Sequence, residues 1–109
     1  MRRVNEAVRE VLSDAIKTLK DPRVGFVTVT DVRTSPDLRH AKVFVSVLGT
    51  ADERAATMDG LASAHGVLQT AVNRELRMKR TPTLDFVYDD TAERADRLER
   101  MLADMETER

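Results

Sequence analysis

Arg74-Glu75-Leu76-Arg77-Met78-Lys79-Arg80 sets four cations within seven residues, the densest charge feature of the chain. Cations so spaced neutralise phosphates and release condensed counterions, which binds a polyanion without any catalytic group. They also fall at the end of a predicted helix, where positive charge offsets the negative end of the helix dipole. Taken alone, the residues leave both readings open. Arg2, Arg3, Arg9, Lys17, Lys20 and Arg23 on or beside the first predicted helix, and Arg33, Arg39 and Lys42 around a predicted hairpin, add further positive charge. The phosphate-binding candidates are Arg3, Arg23, Arg39, Lys42, Arg74, Arg77, Lys79 and Arg80.

Catalysis has little to work with. The only histidines, His40 and His65, fall in different elements, and there is no cysteine to serve as nucleophile or thiolate ligand. No catalytic residue is assigned, and His40 beside a turn reads as a solvated side chain. Adjacent carboxylates at Asp89-Asp90 suit a metal ion or a helix cap, and their position before a capping-box spacing favours Asp90 as a cap. Gly25, Gly49, Gly60 and Gly66 are too far apart for a phosphate loop. Neither metal nor cofactor is expected. Phe26, Phe44, Phe86 and Tyr88 all fall on predicted strands, where aromatics are usually core; Phe44, sharing a strand face with Lys42, is the exception expected.

The elements that must position these groups are those of a small domain. With 109 residues, 41% hydrophobic and 34% charged, the chain suits one core, here residues 1–109 with a body over about 3–88 and a C-terminal helix over about 90–106. Met1-Arg2-Arg3-Val4-Asn5-Glu6 never enters a signal-peptide-like apolar stretch, and no later run approaches a membrane span, so a cytoplasmic protein without a membrane partner is expected. The net charge of −1 divides unevenly. Residues 1–88 carry 14 Lys+Arg against 11 Asp+Glu, a net +3, whereas residues 89–109 carry 4 against 8, a net −4.

Val4, Val8, Val11, Leu12, Ile16 and Leu19 recur at three-four spacing and predict an amphipathic helix that stops by Asp21-Pro22. Gly25–Val32 and Ala41–Val47 alternate as two strands, with Ser35-Pro36-Asp37 as the turn of a hairpin. Thr50-Ala51-Asp52-Glu53 has capping-box spacing and opens a helix with apolar positions Ala55, Met58, Leu61 and Ala62. Beyond Ala64-His65-Gly66 the stripe restarts at Val67, Leu68, Ala71, Val72 and Leu76, so one interrupted helix or two helices fit. Thr83–Tyr88 alternates as a third strand, and Asp90-Thr91-Ala92-Glu93 opens a last helix carrying Ala95, Leu98, Met101, Leu102 and Met105. An RNA-recognition motif needs a strand before its first helix and four strands; three are offered here.

Arg3-Val4, Asp21-Pro22-Arg23, Val27–Val32, Asp37–Ser46, Ala64-His65-Gly66 and Leu76–Asp89 together resemble the ribosome-binding factor A family over about residues 3–102. The resemblance implies an α+β, type II KH-like domain ordered α-β-β-α-α-β with a C-terminal helix, in which Ala-x-Gly replaces the Gly-x-x-Gly clamp. It further implies a non-catalytic factor that binds the free 30S subunit and assists late 16S rRNA maturation, often needed in the cold. On that footing the candidate cations become RNA contacts, and a monomer is expected. The rivals are a small RNA-processing enzyme and a protein-interaction module whose last helix pairs with a partner. Ala64-His65-Gly66 is the expected helix kink: Gly66→Ala should destabilise, whereas His65, taken as solvent-facing, should matter little.

Overall fold

A computed structural model of the protein describes residues 2–78 and 80–107. Its elements run α1 (Arg2–Lys17), β1 (Phe26–Thr34), β2 (His40–Leu48), α2 (Ala51–Ser63), α3 (His65–Leu76), β3 (Thr83–Tyr88) and α4 (Thr91–Thr107). The strands form one sheet in the order β1-β2-β3, with β1 antiparallel and β3 parallel to the central β2. α1, α2 and α3 cover one face and leave the other open, the type II KH-like α+β arrangement expected.

Alternation decides which face is which. Ala41, Val43, Val45 and Val47 of β2 are buried against the helices, and Lys42, Ser46 and Leu48 between them are exposed. Val8, Leu12 and Ile16, one helical turn apart, bring α1 onto this core, which Leu61, Leu68, Val72 and Leu84 complete. α1 ends at Lys17, before the proline, because the Thr18 hydroxyl and N–H both donate to the Ala15 carbonyl, at 2.7 and 3.1 Å. The hairpin turn is built as expected: the Asp37 carboxylate accepts the Ser35 hydroxyl at 2.6 Å and the Arg39 N–H at 3.1 Å, leaving Leu38 left-handed at φ 61°. Those bonds hold the Asp37 carboxyl below the usual carboxylate range. In β1 the register shifts between Val29 and Asp31, so Thr30 is the extra residue of a bulge.

The Thr50–Glu53 capping box forms, with Thr50 Oγ1 accepting the Glu53 N–H at 3.2 Å and Glu53 Oε1 accepting the Thr50 N–H at 3.0 Å. The inward face of α2 differs from the expected stripe. Leu61 is buried and Met58 packs against the core as expected, but Ala55 and Ala62 are exposed, and Thr57 and Gly60 are buried in their place. Thr57 faces inward because its hydroxyl donates to the Arg23 carbonyl and accepts the Gly25 N–H, each at 3.2 Å. Gly60 faces inward because Val24 lies against it.

The interruption is a single residue, Ala64, at φ −86° and ψ 5°. Its N–H still bonds the Gly60 carbonyl and its carbonyl still accepts the Leu68 N–H, each at 3.0 Å. Gly66 does not hold the kink. It lies inside α3 without a left-handed φ, and an added Cβ would meet nothing within 4 Å. The close approach is at Gly60, where an added Cβ would sit 2.7 Å from Val24 Cγ2. Gly60→Ala is therefore expected to destabilise by about 1–3 kcal/mol through overpacking. Gly66→Ala, contrary to the kink expectation, should stabilise by up to about 1 kcal/mol, since alanine is the better helix former. Urea denaturation of both variants beside the parent checks the opposite signs.

Candidate nucleic-acid interface

Three chain segments meet at one end of the sheet. The Thr34 hydroxyl at the end of β1 donates to Asn5 Oδ1 in the first turns of α1 at 2.6 Å. The Thr83 N–H at the start of β3 donates to the Arg39 carbonyl in the hairpin turn at 2.8 Å, and His40 pairs with Thr83 in the parallel ladder. Arg2 and Arg3, Arg39 and Lys42, and Arg77 and Arg80, which lead into β3, are thereby brought toward this end. Arg3, Arg39, Lys42, Arg77 and Arg80 are all exposed. Among the described residues Arg3, Lys42, Arg77 and Arg80 have no ion pair, and Arg39 meets only Asp37, at 3.9 Å. Arg77 breaks α3 in the left-handed region, at φ 49°, and turns the loop toward β3. Lys79 lies outside the described residues.

Two candidates are placed elsewhere. Arg23 sits near the opposite end, before β1, with its guanidinium 2.6 Å from Asp21 Oδ2. Arg74, still inside α3, turns toward α1 and lines a groove with Glu10, Asp14 and Glu75, a setting that repels phosphate. The four-cation run is thus split by helical period, and only its C-terminal part belongs to the basic end.

α3 reaches this position by serving the free edge of β3. Gln69 Oε1 accepts the Leu84 N–H at 2.9 Å, and its amide nitrogen donates to the Pro82 carbonyl at 2.9 Å and to Asn73 Oδ1 at 3.1 Å. His65 Nε2 lies 2.8 Å from the Leu84 carbonyl, which can only accept, so this nitrogen carries the hydrogen. The His65 ring also meets Phe86 edge-on, at 6.4 Å between centroids. His65 is half-buried and engaged, not the solvent-facing residue expected. Nothing in the sequence marks Gln69, except that it stands four residues after His65 and four before Asn73 on one side of the helix.

Among the aromatics, Phe86 and the exceptional Phe44 are placed as expected, and Phe26 departs most from the core reading. Phe26 is 79% exposed on the open face, paired with the exposed Leu48, and Phe44 is half-buried there with the Arg33 guanidinium 5.4 Å from its ring centroid. Phe86 packs against the core, whereas Tyr88 is covered by the Arg54 guanidinium at 4.7 Å.

Where β3 ends, opposite Val45 of β2, the root of α4 is tied by polar contacts. The Asp89 carboxylate accepts the Thr30 hydroxyl at 2.6 Å, the Thr91 hydroxyl, and the Thr91 N–H at 3.0 Å. These bonds, the Thr30 hydroxyl first, pull its pKa down to about 2. Asp90 gives its carbonyl to the Arg94 N–H at 2.9 Å, but its carboxylate turns to Arg94 Nε at 3.1 Å; the side chain that caps the helix is that of Asp89. Glu93, expected to reach back in a capping box, accepts the Tyr88 hydroxyl instead and lies 3.5 Å from Arg54 Nη1.

A helix-covered three-stranded sheet of KH-like order with a basic end and a polar-tethered C-terminal helix defines the class of protein. The family model for ribosome-binding factor A matches residues 1–102, and the chain belongs to that family. It is 41% identical over 108 residues to the ribosome-binding factor A of Geobacter sulfurreducens, covering 98% of this chain and 92% of the relative. It is 44% identical to that of Halothermothrix orenii, covering 98% and 88%. Among solved structures, the Thermus thermophilus crystal structure superposes with a TM-score of 0.72 at 29% identity, over 80% of this chain and 92% of that one. The same Thermus thermophilus factor, as a homology model fitted into a cryo-EM map of its complex with 30S, matches with a TM-score of 0.65 at 29% identity, over 78% and 90%.

Removing either edge-serving side chain should be costly. His65→Ala and Gln69→Ala each leave a Leu84 backbone group without its partner, and each is expected to lose about 1–3 kcal/mol in urea denaturation. A pH series tests the α4 root. Asp89 has a pKa depressed from 3.8 to about 2, so the stability it contributes is full above the ordinary value and is lost as pH falls through that window. Asp89→Asn should be less stable than the parent at pH 6, and the difference should narrow as pH falls toward 2.

Proposed function

We propose that the chain binds the free or immature 30S ribosomal subunit through the basic end of its sheet and assists late maturation of 16S rRNA without catalysing a reaction. The observation that carries the reading is the convergence of Arg3, Arg39, Lys42, Arg77 and Arg80 about one end, on three segments locked together by Asn5–Thr34 and Arg39–Thr83. Such an array meets phosphates on several strands of a folded RNA, because its cations project from different elements and not along one helix. Family membership, and a related factor fitted into a 30S complex, support the particle as the partner. The reading includes a monomeric, cytoplasmic protein that is needed most in the cold, where misfolded RNA escapes slowly. No helix among the described residues is long and apolar enough to cross a membrane.

No observation favours the RNA-processing enzyme. His40 stands at the head of β2, while His65 is committed to the Leu84 carbonyl on the helical side. Binding supplies the effect: phosphates neutralised at one point let an rRNA segment hold a conformation that its own repulsion opposes.

Sedimentation of cell lysate should find the protein with free small subunits and their precursors, and a deletion strain should accumulate unprocessed 16S rRNA at low temperature. Equal occupancy of intact ribosomes, or normal processing in the cold, would count against the proposal. Purified subunits resolve the surface. The triple change Arg77→Glu, Lys79→Glu and Arg80→Glu should weaken binding and lower the slope of log affinity against log salt by roughly 0.7 to 0.9 per lost contact. Arg74→Glu, in its acidic groove, should leave both nearly unchanged.

A further inference from the structure

α4 is a helix with no buried residue. Leu98, Met101, Leu102 and Met105 stand between 51% and 63% exposed at three-four spacing, so 17 residues, about 25 Å of helix, hold an apolar stripe in solvent. The molecule is 60 Å long as a result. Two polar clusters, Asp89 with Thr30 and Thr91, and Glu93 with Tyr88 and Arg54, fix the root and leave the stripe unoccupied.

The stripe has a direction. Arg94 lines a shallow hollow together with Arg33, Phe44 and Val87 of the open sheet face. Residues 94, 98, 101 and 105 follow one another on a single side of a helix. Leu98, Met101 and Met105 therefore lie on the same side of α4 as Arg94, the side its root presents to this hollow. Beyond Leu102 the stripe is bordered by Glu99 and Glu106, neither with an ion pair among the described residues, and residues 91–107 carry five acidic against three basic side chains.

We infer that the apolar stripe of α4 forms a docking surface for a basic, amphipathic segment of a partner protein. Apolar side chains of the partner cover Leu98, Met101, Leu102 and Met105, and its cations meet Glu99 and Glu106. RNA fits poorly, because the stripe itself is apolar and the helix is net acidic, with Arg94 and Arg100 paired to Asp90 and Asp96. A second copy fits poorly: Ala95, Leu98, Leu102 and Met105 make two heptads, short of the three or four a coiled coil needs, and pairing would bring acidic flanks together. The inference rests on the proposal that the chain binds the small subunit, and it assigns a protein contact to α4, apart from the RNA contacts.

The probe is the purified 30S subunit with the intact protein. The triple change Leu98→Gln, Leu102→Gln and Met105→Gln should weaken binding about tenfold or more, with the denaturation midpoint of the protein unchanged because none of the three is buried. Glu99→Lys with Glu106→Lys should weaken it as well. A photoreactive residue replacing Met101 should transfer its label to a ribosomal protein. Undiminished binding by the glutamine variant, tighter binding by the lysine variant, or label on rRNA or on a second copy of the chain would each overturn the inference alone. Failure of the unsubstituted protein to bind the subunit would overturn it together with the proposed function.

Discussion

β3 joins the sheet at its edge, parallel to β2, and the Leu84 N–H and C=O point away from the only strand that could receive them. Leu84 has its side chain in the core, so these groups need partners close at hand. Gln69 and His65 supply them, and the rest of the structure follows from that arrangement. A helix that offers His65, Gln69 and Asn73 to the edge offers Leu68 and Val72 to the core and runs along β3 toward its start. The loop after such a helix is short, and Arg77 in the left-handed region turns it at once. Arg77 and Arg80 thus lead into β3, whose first N–H, that of Thr83, is bonded to the Arg39 carbonyl. One edge-satisfying contact thereby sets the geometry of the proposed RNA surface.

Much of the fold could be read from residue types. β3 matches its expected bounds, Thr83–Tyr88, because alternation and Pro82 delimit it, and the Thr50 capping box and Ser35-Pro36-Asp37 turn are local chemistry that needs no tertiary partner. What escaped was burial of residues that do not look apolar. Thr57 faces the core because distant backbone at Arg23 and Gly25 needs it, and Gly60 because Val24 leaves no room for a Cβ. Gly66 drew attention by its motif, whereas the break belongs to Ala64, whose conformation any residue can adopt. Helical spacing in α4 revealed a stripe but not whether the body covers it.

The site was legible in the same partial way. Counting cations along the chain found Arg77 and Arg80 but grouped them with Arg74, since a linear run cannot show that the helix turns one member toward Glu10 and Asp14. Arg39, Lys42 and Arg3 were candidates by sign alone, and it took the sheet's register to bring them to the same end. Arg23 has the same sign and a different address, because it precedes β1 and is paired with Asp21.

That register also accounts for a net charge of −1 on a protein proposed to bind RNA. With β1 antiparallel and β3 parallel to β2, the segment before β1 meets the segments after β2 and β3 at one end, and these bring Asp21, Asp52, Glu53, Asp89, Asp90 and Glu93. Arg23, Arg54 and Arg94 are paired with Asp21, Glu93 and Asp90 among them, whereas the candidate cations without a close carboxylate lie toward the start of β2; His40 there is five residues, about 17 Å, from Val45, opposite which β3 ends. Charges in water are screened over about 8 Å at physiological salt, so the acidic root of α4 is still felt, though weakened, by an RNA at the basic end. The sum over the chain therefore says little about what either end attracts. Cations already paired with a carboxylate add little to either end, so what the basic end attracts is set by Arg3, Lys42, Arg77 and Arg80, which have no ion pair among the described residues.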